Sequence, residues 1–249
     1  MNLTDNQKQA LKNCQIKSKM HQKNLMHLIQ EKFILNNIDT SYIDKIETYI
    51  NAYVSLTTKI RCNTLEKFIE NPILKNKLEL NPNDKSYYEY RKTKEDTLFH
   101  KAYENCVDSD RVKYGSLNLK NSISGDPLAS MYGDTTIFYK NDIKERISFL
   151  YGNSEASIMY VCTFKYFKHL LYHMPIKDIK LLVELIDNIS IDKTSITNFS
   201  SYVEMQIHGM VDLTQDVEKI TMLNSTYQAN KQIVDNFISK YYMIEVIIY

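Results

Sequence analysis

The sequence predicts an α+β fold in which amino-terminal helices pack on a mixed or antiparallel β-sheet. Three observations predict it. All five glycines (Gly115, Gly125, Gly133, Gly152 and Gly209) lie beyond residue 114, so the first stretch of chain lacks a residue that weakens helices. After about residue 110 the hydrophobic period changes from that of helices to that of strands. Finally, Tyr202-Val-Glu-Met-Gln-Ile-His208 alternates cleanly. Val203, Met205 and Ile207 fall on one face, and Tyr202, Glu204, Gln206 and His208 on the other.

The elements follow in order. Thr4-x-x-Gln7 is a capping box, and Leu11, Met20, Leu25, Leu28, Ile29 and Phe33 follow at helical spacing, so residues 4–36 read as one or two helices. Ser41-x-x-Asp44 marks another start. Ile43, Ile46, Tyr49, Ile50, Tyr53 and Val54 share a face, and the run extends to Phe68 before Asn71-Pro72 stops it, which predicts an antiparallel helical hairpin. A turn at Asn81-Pro82-Asn83-Asp84 precedes a polar, tyrosine-rich helix over 84–105. Strands are expected over 112–119, 131–139 and 146–151, then helices over 164–173 and 176–189 separated by Pro175. After the strand at 202–208 come a strand at 217–222, a helix at 227–240 and a terminal strand at 242–249. The chain thus divides into a helical region, 1–105, and an α+β region, 106–249.

Composition narrows the function classes. With 43% hydrophobic and 24% charged residues, 249 residues can bury a core. Lys and Arg total 31 against 30 Asp and Glu, a net charge of +1, so no general attraction to nucleic acid is encoded and none is expected as partner. Five scattered glycines exclude a Gly-rich dinucleotide fingerprint and a Walker loop. Cys14, Cys62, Cys106 and Cys162 are 44 to 56 residues apart and form no Cys-x-x-Cys pair, which reads as reduced, buried thiols. No apolar run reaches the roughly 18 residues of a membrane span. The segment Met1-Asn-Leu-Thr-Asp-Asn-Gln-Lys8 lacks a secretory pattern, so cytoplasmic synthesis is expected, with secretion into a host cell by a route needing no cleavable signal left open.

Several residues are candidates for chemistry. A strand face showing Tyr202, Glu204, Gln206 and His208 is either a solvated surface or the wall of a cleft. Arg111 and Arg146 stand out in a lysine-rich chain, because arginine offers a planar fork for phosphate or carboxylate; the plainer reading is a surface arginine. The loops Ser124-Gly125-Asp126-Pro127 and Tyr132-Gly133-Asp134 permit close ligand approach, and equally serve as hairpin turns. His169 and His173 have the spacing of metal ligands on a helix. Leu170 replaces the glutamate of the zinc-protease signature, however, and no third ligand is suitably spaced, so structural histidines and no metal are expected. No Gly-x-Ser-x-Gly elbow or cysteine-nucleophile signature is present.

Five segments together resemble a bacterial family defined by a domain of unknown function. They are Arg111-Val-Lys-Tyr-Gly-Ser-Leu-Asn-Leu119, Gly125-Asp-Pro-Leu-Ala-Ser-Met-Tyr-Gly-Asp134, Glu145-Arg-Ile-Ser-Phe149, Gly152-Asn-Ser154 and Tyr202-Val-Glu-Met-Gln-Ile-His-Gly-Met-Val211. The opening Leu3-Thr-Asp-Asn-Gln7 is similar as well. The arrangement further resembles divergent mono-ADP-ribosyltransferases, bacterial effectors and toxins among them. Their pattern is a first strand with an arginine or histidine before a glycine, a middle strand with a serine, and a late strand with a glutamate. The resemblance implies an ADP-ribosyltransferase-like sheet core, NAD as the substrate, no metal, and a macromolecular acceptor, a protein in most of that superfamily.

Carried over residue by residue, it makes Glu204 the catalytic carboxylate and Arg111 the ligand of the NAD phosphate or ribose. Ser148 would support the nicotinamide ribose, Gly115 would admit the nicotinamide amide, and Gln206 and His208 would touch ribose hydroxyls or the acceptor. Tyr114 and Asp134 join the NAD-binding set, and Tyr202 stands where an acceptor-orienting residue is usual. Tyr114 occupies the position expected for the arginine or histidine, and Ile147-Ser148-Phe149 replaces the usual Ser-Thr-Ser. The alternatives are an NAD glycohydrolase, a nucleotide-binding pseudoenzyme, or a protein-interaction module docking through its amino-terminal helices.

Overall fold

Thr4 caps the first helix through its side chain, and the Gln7 side chain accepts the Thr4 N–H in return, so α1 starts at its capping box and runs unbroken as Asp5–Leu35. A computed structural model describes residues 3–80, 83–154, 160–188 and 198–249. After α2 (Tyr42–Ala52) the chain departs from the expected hairpin. Ser55–Ile60 is a strand, β1, and only then does α3 (Thr64–Glu70) form. The helical reading of 53–63 is therefore corrected. Ser55-Leu-Thr-Thr-Lys-Ile60 is rich in β-branched residues, and pairing with a strand on each side outweighs the accidental helical spacing of its apolar residues.

Next come α4 (Lys77–Leu80) and α5 (Lys85–Phe99). α5 stops six residues short of the expected end because His100 and Lys101 adopt φ of 53° and 58°. The remaining strands are β2 (Lys113–Asn118), β3 (Thr135–Tyr139), β4 (Ile147–Tyr151), β5 (Cys162–Thr163), β6 (Val203–Ile207), β7 (Val217–Met222) and β8 (Glu245–Ile248). Residues 131–132, expected in a strand, belong to a 3-10 turn over Pro127–Tyr132. The helix expected over 164–173 shrinks to α6 (Leu170–His173); α7 spans Ile176–Asp187, and residue 189 lies outside the described residues. After the short α8 (Leu213–Asp216), the helix expected at 227–240 is split at Asn230 into α9 (Asn224–Ala229) and α10 (Lys231–Lys240).

The strands form one sheet in the order β5-β4-β6-β2-β1-β3-β7-β8, antiparallel throughout except for β7 and β8. The fold is thus α+β, as expected. One face carries the main core, where Ile46, Leu65, Leu182, Met205, Ile220 and Phe237 bring α2, α3, α7 and α10 onto the sheet. The opposite face is covered over β2, β6 and β4 by the first half of α1 and by α5. There Ala10, Cys14, Leu98, Phe99, Tyr103 and Leu150 make a smaller cluster.

Candidate functional site

β6 lies between β2 and β4, and the register fixes which side chains meet. Glu204 is opposite Ser116 and Leu150, and Gln206 is opposite Tyr114 and Ser148. Since side chains alternate, Tyr114, Ser116, Ser148, Glu204, Gln206 and His208 share one face. The sequence left open a solvated surface or a cleft wall. The structure shows a covered face, with Gln206 and His208 fully buried and Glu204 6% exposed.

Buried polar groups need partners, and here they form a chain with one direction. Glu204 Oε1 accepts from Gln206 Nε2 at 2.9 Å and from the Ser154 N–H at 3.2 Å. Gln206 therefore turns its carbonyl oxygen to Ser148, whose hydroxyl donates to it at 3.1 Å. Having given its one proton, Ser148 Oγ must accept from His208 Nε2–H at 3.0 Å. His208 Nδ1 is then the acceptor for the Tyr103 hydroxyl at 2.7 Å. Every donor points toward Glu204. Burial, then the Arg146 and Lys113 charges, lower the His208 pKa to about 3, so the ring is neutral and holds this single tautomer. Burial raises the Glu204 carboxyl above its ordinary value, while Ser154, Arg91 and Gln206 pull it back toward the ionised form.

A second arm begins at Arg111, at the entry to β2. Its side chain is 1% exposed and donates to Glu95 at 2.9 Å and to the Tyr103 carbonyl at 2.9 Å, with Asp96 at 3.5 Å. Glu95 accepts from the Tyr114 hydroxyl at 2.9 Å, and the Tyr114 ring carries the Arg91 guanidinium 4.1 Å from its centroid. Arg91 Nη1 donates to Ser154 Oγ at 3.2 Å, which returns the path to Glu204. The two arms thus enclose a ring of buried polar groups between α5 and the sheet.

Of the residues expected to bind or turn over NAD, Tyr114, Ser148, Glu204, Gln206 and His208 come together on this face, and Arg111 lies behind them, engaged with Glu95. Gly115 serves strand packing: a Cβ there would stand 2.4 Å from both the Thr57 carbonyl oxygen and Met205 Cε. Asp134 is apart, accepting the Cys62 N–H at 2.9 Å and lining a recess of about 400 Å3 with Arg61 and Asn63. Arg146 joins Asp216 at 2.7 Å and the His208 and Met210 carbonyls. His169 touches Cys162 Sγ at 3.3 Å, and the pKa values of His169 and His173 are lowered to about 4, chiefly by burial. Cys14, Cys62 and Cys162 are buried thiols, Cys106 a half-buried one.

Sequence reasoning missed Arg91, Glu95, Tyr103 and Ser154. Arg91 carried a usable signal, since it is one of only four arginines and the reasoning applied to Arg111 holds for it equally. Ser154 stands in the Gly152-Asn-Ser154 motif, which by itself carries no sign of a role.

The rim of the site is aromatic and cationic. Tyr202 donates to Glu204 Oε2 at 3.5 Å and meets the exposed Tyr132 hydroxyl at 3.3 Å; Lys77 Nζ lies 5.8 Å from the Tyr132 ring centroid. Fixed donors on one carboxylate oxygen, with the other turned to this rim, can stabilise a positive charge developing on a bound molecule.

No protein-family model matches the chain, and no curated protein does. Among solved structures, it is similar to Thermosipho africanus DarTG in complex with ADP-ribose, with a TM-score of 0.42 and 14% identity over 78% of this chain. This chain covers 50% of that one, about half its length. Among the described residues, no helix is long and apolar enough to cross a membrane.

Proposed function

We propose that the protein cleaves the nicotinamide–ribose bond of NAD and transfers ADP-ribose to a macromolecular acceptor, a protein in the first instance. The observation that supports this reading best is Glu204: a carboxylate on a central strand, fixed by two donors and facing a rim of tyrosines and cations. In the reaction the bond between ribose C1′ and the nicotinamide nitrogen breaks, its electron pair leaving with nicotinamide. The ribose becomes oxocarbenium-like, and a carboxylate held in a poorly hydrated site stabilises that charge. The acceptor's nucleophilic atom then bonds to C1′ and its proton passes to solvent. If water is the acceptor, the same site is an NAD glycohydrolase.

The test is nicotinamide release from NAD by the purified protein, with and without a lysate supplying acceptors, and labelled NAD to find the modified macromolecule. Turnover abolished by Glu204→Gln supports the reading. Turnover unaffected by that change, or no release under any condition, overturns it, and the helical face would then be tested as an interaction surface.

A further inference from the structure

Tyr103 and His208 have no part in the transfer step, yet they form the far end of the buried row of hydrogen bonds that reaches Glu204. Tyr103, Ser148, Gln206 and His208 are fully buried, which closes Gln206 and His208 to the contacts with ribose or acceptor that the resemblance implies for them. The direction of the row is dictated twice, once from each end. The Glu204 carboxylate only accepts, so Gln206 offers it the amide nitrogen, 2.9 Å from Oε1, and turns the amide oxygen to the Ser148 hydroxyl at 3.1 Å. At the other end, the Tyr103 hydroxyl has one hydrogen-bond partner among the described residues, His208 Nδ1 at 2.7 Å. Were the row reversed, Nδ1 would carry the proton and the buried tyrosine proton would have no acceptor. Tyr103 therefore donates, the imidazole proton sits on Nε2, and Ser148 Oγ accepts it at 3.0 Å. His208 is held in this orientation, since its N–H donates to the Arg146 carbonyl at 2.9 Å, its carbonyl accepts from Arg146 Nη1, and Phe99 packs edge-on with ring centroids 5.0 Å apart. The Cys14 thiol, also beside Ser148, is neutral, its pKa pushed up to about 12 by burial, and a neutral sulfur is a weaker acceptor than the Gln206 oxygen.

We propose that Tyr103 is a positioning residue for Glu204. Its hydroxyl proton, acting through His208, Ser148 and Gln206, keeps the Gln206 amide nitrogen on Glu204 Oε1 and leaves Oε2, the oxygen near the Tyr202 hydroxyl, to face the substrate. This role rests on the reading of Glu204 given above. Aligned hydrogen bonds polarise one another in a dry site, so loss of the first donor weakens each bond that follows. An amide free to turn would bring its oxygen against the carboxylate, which displaces that group and favours its protonation, both at the expense of a positive charge on ribose.

The experiment compares wild type, Tyr103→Phe, Ser148→Ala and the double variant. Tyr103→Phe removes one oxygen and keeps the ring against Phe99 and His208; Ser148→Ala cuts the row in the middle. Arg91, Ser154 and Tyr202, the other groups around Glu204, are the same in all four. Nitrogen-15 NMR of histidine-labelled protein reads the His208 tautomer, carbon-13 NMR reads the Glu204 titration, and nicotinamide release gives kcat and KM. Wild type should carry the proton on Nε2. Tyr103→Phe should lower kcat about threefold to tenfold at unchanged KM and move the Glu204 titration up in pH, and both effects should vanish when Ser148→Ala is the background. A proton on Nδ1 in wild type, effects of the same size in both backgrounds, or kcat and titration unmoved in Tyr103→Phe whatever its melting temperature overturns the proposal. The titration separates the two inferences. A Glu204 titration that answers to Tyr103→Phe, in a protein that never releases nicotinamide, upholds the positioning role and removes the transferase reading. Turnover lost in Glu204→Gln but indifferent to Tyr103→Phe, with the titration unmoved, does the reverse.

Discussion

Arg111→Met removes a guanidinium that is 1% exposed and makes two 2.9 Å hydrogen bonds, one to Glu95 and one to the Tyr103 carbonyl. What remains is a Glu95 side chain 2% exposed, with only the Tyr114 hydroxyl and the more distant Arg91 charge to offset its ionisation. Breaking one side of a buried pair in this way costs about 3–5 kcal/mol. For a chain of this length each kcal/mol moves the melting temperature by roughly 2–4 °C, so a drop of about 6–20 °C is expected. The second half of the prediction is the double variant Arg111→Met/Glu95→Leu. Replacing a buried pair by apolar groups of similar volume is often neutral, so most of the lost stability should return. Thermal unfolding of wild type, the two single variants and the double variant forms the cycle, with NAD titration run well below the lowest midpoint. An Arg111→Met protein that melts as wild type but binds NAD much more weakly would refute the structural assignment and make Arg111 a ligand of the cofactor.

Glu204→Gln should lower nicotinamide release by about 10²–10³-fold, the usual loss on removing one preorganised electrostatic group. Its melting temperature should hold or rise slightly, because a carboxylate whose pKa is raised by burial is costly to keep ionised. Gly115→Ala should destabilise by about 1–3 kcal/mol, since the Thr57 carbonyl 2.4 Å from the new Cβ is backbone and cannot move aside cheaply; an unchanged melting temperature would show that β1 and β2 can part there. Acid should destabilise the fold below about pH 6.5, where unfolded histidine takes up protons while His208, at about 3, and His169, at about 4, stay neutral in the fold. Each contributes up to about 1.4 kcal/mol per pH unit across that window. Asp126, raised to about 6 mainly by burial, works the other way between roughly pH 6 and 4. His208→Gln should flatten the acid limb of a melting-temperature profile, and a profile already flat in wild type from pH 7 to 5 would refute the assignment.

The second half of the chain was legible because its strands keep the period of two that burial of one face imposes. Val203 to Ile207 shows this best, and β7 matches its expected bounds, 217–222, to the residue. β1 was hidden for a physical reason. Its residues are buried on both faces, and Ile60, Leu65 and Phe68 prolong the helical spacing of Ile43 to Val54 across it, so local pattern favoured a helix where pairing with β2 and β3 decides for a strand. The candidate site was half legible. Tyr114, Ser148, Glu204 and Gln206 sit on strands, with His208 just past the end of β6, and alternation alone puts them on one face. Arg91, Glu95 and Tyr103 arrive from α5 and the turn after it, and their meeting with the sheet is tertiary. Tyr-rich and polar, α5 carries no apolar stripe to announce that its buried positions include an arginine and a glutamate beside Leu98 and Phe99.

That α5 completes the site changes what the amino-terminal residues are for. Burial raises the Glu204 carboxyl, and of the groups that pull it back, Arg91 lies on α5, while Gln206 is the last member of a directed chain whose first donor, Tyr103, lies just beyond α5. β1, from the same part of the chain, sits beside β2 at the centre of the sheet. A protein lacking residues 1–105 would lose a central strand, the cover over Gln206 and His208, and the Arg91 charge that favours the Glu204 carboxylate. Exposed to water, that carboxylate would still be negative, but it would act through solvent dielectric, where a charge about 4 Å away is worth only about 1 kcal/mol. The helical cover is what turns an acidic strand position into a site where one fixed charge can stabilise a cation.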